Sequence, residues 1–97
     1  MSKIVCLKLS TGEEIICNEV AENQYEDIAS IIMVPGQSGQ QVGLGLAPFM
    51  PYLDETKLFI HDSKVICKGT PTKEMLNNYS RIYGSGIQIA SSLQGIQ

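Results

Sequence analysis

Residues 3–20 read KIVCLKLSTGEEIICNEV, two apolar runs on either side of the turn residues at 10–12. This pattern predicts an antiparallel β-hairpin, and a three-residue loop with Gly12 in the left-handed conformation is a common connection. Such a loop pairs Lys8 with Glu14, whereas a two-residue loop would place an apolar residue opposite that glutamate. Because a one-residue slip moves every side chain to the other face, we expect the first register. It gathers five apolar side chains on one face: Val5, Leu7, Leu9, Ile15 and Cys17.

The rest of the first 70 residues also has the character of short strands. Beyond a polar break at residues 22–27, apolar runs bounded by turn residues predict strands at 28–34, 42–50, 57–60 and 64–68. Two glycines and a proline weaken the second of these and indicate an edge or a bend. Five or six short strands joined by tight turns are typical of a small barrel or sandwich.

A helix is predicted after the strands. Thr70 is suited to cap it, Pro71 to begin it and Gly84 to end it. Apolar residues recur within it along one stripe, at Met75, Leu76, Tyr79, Ile82 and Tyr83. The stripe predicts a helix packed as a lid on the core, and a partner-binding helix is the alternative. We therefore expect one domain over residues 1–97, with strands at about 3–70, the helix at about 71–84 and a tail at 85–97.

Charge and hydropathy limit the classes of partner. The formal net charge is -3, and residues 1–60 carry three lysines against eight acidic residues. Residues 61–97 carry four basic residues against two acidic ones, so an anion-binding face is expected in this last third. A single arginine argues against electrostatic wrapping of DNA. Without a signal peptide or an apolar run of about 18–20 residues, we expect a cytoplasmic protein with no membrane partner.

Neither the cysteines nor any recognisable motif in the sequence indicates catalysis or metal binding. An odd number of cysteines, three at wide spacing in apolar runs, is typical of free thiols buried as small hydrophobic side chains: Cys6, Cys17 and Cys67. No metal-ligand spacing, phosphate-binding loop or nucleotide fingerprint occurs in the sequence. We therefore expect no enzyme activity, no cofactor and no bound metal.

Two stretches resemble the sequence motifs of the Sm-like (LSm) family. The first covers residues 5–30, where DIAS at 27–30 stands in place of the family's Asp-x-Met-Asn. The second is LFIHDSKV at 58–65, where the pair HD at 61–62 stands in place of the family's Arg-Gly. The likeness covers about residues 3–70 and is nearest to small Sm-like proteins of marine cyanophages.

The resemblance implies a fold, an assembly and a function. The fold would be mainly β, a strongly bent five-stranded SH3-like barrel, here with a C-terminal α-helix. The assembly would be a homo-oligomeric ring of about five to seven subunits. Its function would be to bind RNA or single-stranded nucleic acid in RNA processing or regulation, in the host cell cytoplasm if the protein is phage-encoded.

Two loops that meet at the inner rim of such a ring would supply the binding residues. The first loop carries Asn23, Tyr25 and Asp27, and Ser30 follows it in the strand at 28–34, in place of the family's asparagine. The second loop carries His61, Asp62, Ser63 and Lys64. The family's two base-contacting positions hold Ile28 and His61 here, and Tyr25 is the nearest aromatic residue to the first. Binding single-stranded RNA requires aromatic faces for bases, polar groups for base edges and cations for phosphates.

A second interpretation requires no nucleic acid. Tyr25 would then pack over the barrel end, and the residues at 61–63 would serve as turn formers. The protein would be a structural or adaptor ring, joined through the strand at 42–50 and the nearby Phe49, Met50 and Tyr52. The discriminating feature is whether Tyr25, His61 and Lys64 lie on one exposed rim.

Overall fold

The computed structural model describes residues 2–35 and 42–83. These residues form six β-strands in one antiparallel sheet and one α-helix, which confirms a mainly β fold followed by a helix. Six strands agree with the five or six predicted from the residues, and they are one more than the five-stranded barrel that the resemblance implies. The strands are β1 (Lys3–Leu9), β2 (Glu14–Ala21), β3 (Gln24–Pro35), β4 (Val42–Pro48), β5 (Lys57–Phe59) and β6 (Val65–Gly69), and the helix is α1 (Lys73–Tyr83). A 3-10 turn, Asp62–Lys64, joins β5 to β6. The tail expected at 85–97 lies outside the described residues.

The β1–β2 hairpin has the predicted register. Leu7 pairs with Ile15 and Lys8 with Glu14, and the Nζ of Lys8 lies 3.7 Å from the Glu14 carboxylate. Gly12 has φ +96°, so it adopts the backbone conformation for which glycine was expected. The three-residue loop therefore sets which side chains of both strands face the core.

The long strand β3 changes partner in its middle. The strand order is β4-β3-β2-β1-β6, and β5 pairs with β3 as well. Residues Gln24–Glu26 pair with β5, and residues Ala29–Pro35 pair with β4. Between them Asp27 has φ +53°, at the place where the register between β2 and β3 shifts. The irregularity at Asp27 lets one strand serve two neighbours, as β-bulges do.

The polar break predicted at residues 22–27 is wrong beyond its first two residues. Only Glu22 and Asn23 form a turn, and β3 begins at Gln24. Tyr25 and Asp27 therefore lie on a strand and not on a loop. In this stretch polar residues flank the buried Tyr25. The alternation of apolar and polar residues that identifies a strand is therefore hard to recognise in a short window of sequence.

The sheet is covered on both faces. On the inner face lies a cluster of buried side chains: Val5, Leu7, Ile15, Cys17, Tyr25 and Ile28. On the opposite face Ile16 and Ala29 are buried beneath Met75 and Tyr79 of α1. Helix α1 is thus a lid on the sheet, as its apolar stripe predicted, and removal of apolar surface from water on both faces stabilises the central strands.

The helix begins later than predicted and buries a narrower stripe. The hydroxyl of Thr72 accepts a hydrogen bond from the backbone N–H of Met75 at 3.2 Å, so Thr72 is the cap and Thr70 is not. Ile82, which was expected on the buried face, is 58% exposed. Tyr79 donates a hydrogen bond of 2.5 Å to the carbonyl of Asp27, and the Tyr83 hydroxyl lies 3.5 Å from the carbonyl of Ile28. The helix is therefore attached to the irregular part of β3.

The three cysteines differ in environment. All are free thiols, with Cys17 buried and Cys6 partly buried, as expected. The same expectation is wrong for Cys67, which is exposed on β6. Burial, with smaller contributions from nearby Cys6 and Glu19, raises the pKa of the Cys17 thiol to about 12. Cys17 therefore acts as a small apolar side chain in the inner core.

Candidate nucleic-acid interface

The two segments predicted to form a site lie against each other. The side-chain amide of Asn23 donates to the carbonyl of Ile60 at 3.1 Å, and the backbone N–H of Ile60 donates to the carbonyl of Asn23 at 2.9 Å. Asn23 has φ +62°, a left-handed conformation that asparagine tolerates better than most residues. These two hydrogen bonds attach the Glu22–Asn23 turn to the chain that enters the 3-10 turn.

The 3-10 turn presents four exposed side chains, those of His61, Asp62, Ser63 and Lys64. The Nδ1 atom of His61 accepts from the backbone N–H of Ser63 at 3.2 Å, and the Ser63 hydroxyl lies 2.9 Å away. Since an amide N–H can only donate, we assign the proton of the neutral ring to Nε2, which leaves that N–H directed away from the turn. The Asp62 carboxylate lies 3.4 Å from the same Nδ1 atom.

An open depression of about 400 Å³ lies beside the two turns, at one end of the inner core. Its lining includes three predicted site residues, Asn23, Tyr25 and Asp62, together with Glu19 and Lys68. The Lys68 ammonium donates to the Glu19 carboxylate at 2.9 Å, and this hydrogen bond raises the pKa of Lys68. The cation nearest the depression is therefore engaged by a carboxylate within the chain.

Tyr25 forms the floor of this depression and not part of an exposed rim. Its side chain belongs to the inner core and is 5% exposed. Burial, followed by the nearby Glu19 carboxylate, raises its pKa. The alternative considered for this residue, packing over the barrel end, is the one that the structure supports.

Asp27 and Ser30 lie apart from the other predicted residues. Asp27 is in the irregular part of β3 and lines a different cavity, together with Phe49 and Tyr83. Burial, with a contribution from Glu26, raises the pKa of its carboxyl group. Ser30 is half-buried within β3, where it pairs with Ile15 on one side and Ala47 on the other. Of the eight predicted residues, the structure therefore groups Asn23 with the four residues of the second turn, and Tyr25 lines the same depression as Asn23 and Asp62.

The sequence interpretation overlooked Phe59. Its side chain is 66% exposed, and its ring meets that of His61 edge to face, with centroids 6.3 Å apart and an interplanar angle of 84°. The alternation of β5 contained the signal, because Leu58 and Ile60 pack against the inner core and so direct Phe59 outwards. We call the surface formed by six residues the rim surface: Asn23, Phe59, His61, Asp62, Ser63 and Lys64.

No protein-family model matches the chain, and no curated protein matches it.

In residues 2–35 and 42–83, no group of three or more histidine, cysteine and acidic side chains is arranged to hold a metal ion. Within the same ranges, none of the helical segments has the length and the apolar character that crossing a membrane requires.

Proposed function

We propose that this protein binds single-stranded nucleic acid through the rim surface, with RNA as the preferred ligand. The observation that supports the proposal most directly is the exposed pair of rings, Phe59 and His61, next to the polar side chains of Asn23 and Ser63. Stacking of a base on an aromatic side chain contributes about 1–3 kcal/mol and tolerates every base. The neighbouring amide and hydroxyl groups are suited to contact base edges.

The charge around the rim surface favours weak binding with a low salt dependence. Lys64 is the cation on the 3-10 turn, Asp62 places a carboxylate on the same turn, and Glu22 adds another to the lining of the neighbouring depression. Each phosphate that a basic side chain neutralises contributes to the fall of affinity with salt. We therefore propose that stacking supplies most of the affinity, and that repetition of the surface in an assembly strengthens a weak single contact.

The first test replaces the two rings. We expect Phe59→Ala and His61→Ala each to weaken the binding of short oligoribonucleotides about tenfold, which corresponds to about 1.4 kcal/mol of lost stacking. Fluorescence anisotropy with labelled oligonucleotides at one fixed salt concentration measures this. The matched control is Tyr52→Ala, which removes an aromatic side chain that is 77% exposed on another part of the surface. Affinity unchanged in both ring variants would refute the proposed site.

The Sm-like barrel and the ring belong to the same proposal. Support comes from the partner change of β3, from the 3-10 turn between β5 and β6, and from the ends of the sheet. Within the described residues, β4 and β6 are the outer strands of the order β4-β3-β2-β1-β6, and each pairs with one neighbour. Unpaired strand edges promote pairing with another chain, and joining one end of a sheet to the opposite end of the next copy generates a ring when the rotation closes.

Assembly is tested at the β6 edge. Ile66 on β6 is 62% exposed, and a lysine on an edge strand opposes pairing with another chain. We expect native mass spectrometry to report a closed homo-oligomer for the wild-type protein and mainly monomer for Ile66→Lys. The control Ile82→Lys makes the same substitution at an isoleucine of α1 that is 58% exposed and lies outside the strands, and it should leave the subunit number unchanged. A monomeric wild-type protein, or an intact Ile66→Lys ring, contradicts this mode of assembly.

A second candidate function is a structural or adaptor ring that binds no nucleic acid. It is favoured by the burial of Tyr25, which does not share an exposed rim with His61 and Lys64. It is also favoured by the carboxylates near the rim surface and by two exposed apolar side chains on β3 and β4, Met33 (74% accessible) and Leu44 (54% accessible). Native mass spectrometry of the wild-type protein, mixed beforehand with a pool of short oligoribonucleotides, distinguishes the two functions. A ring that carries oligonucleotide mass supports the first function, and a bare ring supports the second.

A further inference from the structure

A small cavity of about 160 Å³ lies where β3 changes partner, apart from the rim surface. Its walls come from the irregular part of β3, the end of β4, the chain between β4 and β5, Leu58 of β5, and the last residue of α1. The side chains that matter for its chemistry are Asp27, Glu55, Phe49, Leu58 and Tyr83. None of these belongs to the rim surface, so the cavity is a separate candidate site.

Two strained backbone positions form part of this cavity. Asp27 has φ +53° and Met50 has φ +52°, and both residues line it. A left-handed conformation is unfavourable for a bulky residue such as methionine, and strain of this kind concentrates at functional sites. Backbone hydrogen bonds hold both conformations in place. The backbone N–H of Asp27 donates to the carbonyl of Thr56 at 3.2 Å, and the backbone N–H of Leu53 donates to the carbonyl of Met50 at 3.2 Å.

The chemistry of the walls indicates a cationic guest. The walls carry two carboxylates, Asp27 and Glu55, and among the described residues that line the cavity there is no lysine or arginine. The Asp27 carboxyl is partly buried, and its neighbour Glu26 adds a like charge, so its pKa is raised. The ionised form of a partly buried carboxyl group is stabilised most by an opposite charge that is held within the same cavity.

Size and aromatic content narrow the guest further. Pockets for metabolites and drug-sized ligands usually enclose about 300–1,000 Å³, so this cavity suits one side chain better than a whole ligand. Phe49 and Tyr83 offer aromatic surface beside the carboxylates. A guanidinium group is planar, weakly hydrated, stacks on rings and can pair with a carboxylate through two hydrogen bonds, whereas an ammonium group is a strongly hydrated point charge.

We propose that this cavity is a docking site for an arginine side chain of a partner protein. The guanidinium group pairs with the carboxylates of Asp27 and Glu55, and the aliphatic part of the side chain packs against the apolar wall formed by Phe49 and Leu58. This site adds a protein-binding function that is independent of nucleic-acid binding, because its residues and those of the rim surface do not overlap.

The test uses the full chain and a minimal probe. The ¹⁵N-labelled protein is titrated with N-acetyl-argininamide and followed by two-dimensional amide NMR. We expect saturable shifts at the amides of Asp27, Thr56 and Leu58, and an affinity at least about tenfold lower for Asp27→Asn, because hydrogen bonds between charged groups are the strong ones. Asparagine tolerates the left-handed conformation as aspartate does, so this variant retains the local backbone.

The control and the contradicting results are specific. Asp54→Asn removes the same charge next to Glu55 but outside the cavity lining, and we expect it to bind as the wild-type protein does. Should Asp27→Asn fail to fold, Glu55→Gln takes its place with the same expected loss. The absence of saturable shifts, or equal affinity in the cavity variants and the wild-type protein, overturns the proposal. Equal affinity for N-acetyl-lysinamide overturns the choice of arginine. None of these results bears on the Phe59→Ala and His61→Ala experiments.

Discussion

Replacing Tyr79 by alanine is expected to lower the free energy of unfolding by about 3–5 kcal/mol, the range for truncating a large buried aromatic side chain. The ring is 3% exposed in the cluster that joins α1 to Ile16 and Ala29. Its hydroxyl also donates to the carbonyl of Asp27 at 2.5 Å, and burial, with a contribution from the Asp27 charge, raises the pKa of Tyr79 far above its ordinary value. The variant therefore loses packing and the connection between the helix and β3.

Tyr79→Phe separates these two contributions. It retains the ring and removes the hydrogen bond, so we expect a loss of about 1–2 kcal/mol. Urea unfolding followed by circular dichroism measures both variants, with Ser80→Ala on the exposed side of α1 as the control. Equal stability of Tyr79→Ala and the wild-type protein would show that the helix does not pack on the sheet as described.

The second large effect concerns Tyr25, which was expected to stack on a base. Because its ring is 5% exposed within the inner core, we expect Tyr25→Ala to cost about 3–5 kcal/mol of stability. Loss of oligonucleotide binding in this variant would then follow from unfolding and would not identify a contact. Tyr25→Phe retains the packed ring and tests the hydroxyl group alone.

Thermal unfolding and RNA binding have to be measured on the same Tyr25 samples. We expect Tyr25→Ala to unfold at a much lower temperature than the wild-type protein, and Tyr25→Phe to remain folded with oligonucleotide affinity close to wild type. A fully stable Tyr25→Ala protein that has lost its affinity would contradict the buried position. It would restore the view of Tyr25 as an exposed stacking residue.

The sequence was most informative where local rules and burial agree. The turn around Gly12 and the alternation of apolar residues in β1 and β2 predict the same register, and the structure has it. The lid helix was predictable for a similar reason, since Met75 and Tyr79 are one helical turn apart and both are buried. Its exact start was not, because Thr70 and Thr72 are both suitable caps around the same proline and only packing selects between them.

The sequence was least informative where a residue's role depends on distant partners. Tyr25 is buried because β5 and β6 come to lie near it, and a window of neighbouring residues does not contain that fact. Asp27 has its left-handed backbone because β3 exchanges β5 for β4 at that point. The candidate site was therefore predictable as two segments that meet, while the exposed ring on β5 and the separate position of Asp27 were not.

The attachment of α1 to β3 also has a consequence for biosynthesis. The hydrogen bond between Tyr79 and Asp27 joins residues 52 positions apart, and the contact between Tyr83 and Ile28 spans 55. On a ribosome that adds about 5–20 residues per second, β2 and β3 emerge several seconds before their cover exists. During that interval Ile16 and Ala29 face water, and the nascent sheet displays the kind of apolar surface to which chaperones bind. Among the described elements the helix is therefore completed last, and the face of the sheet that it covers stays exposed until then.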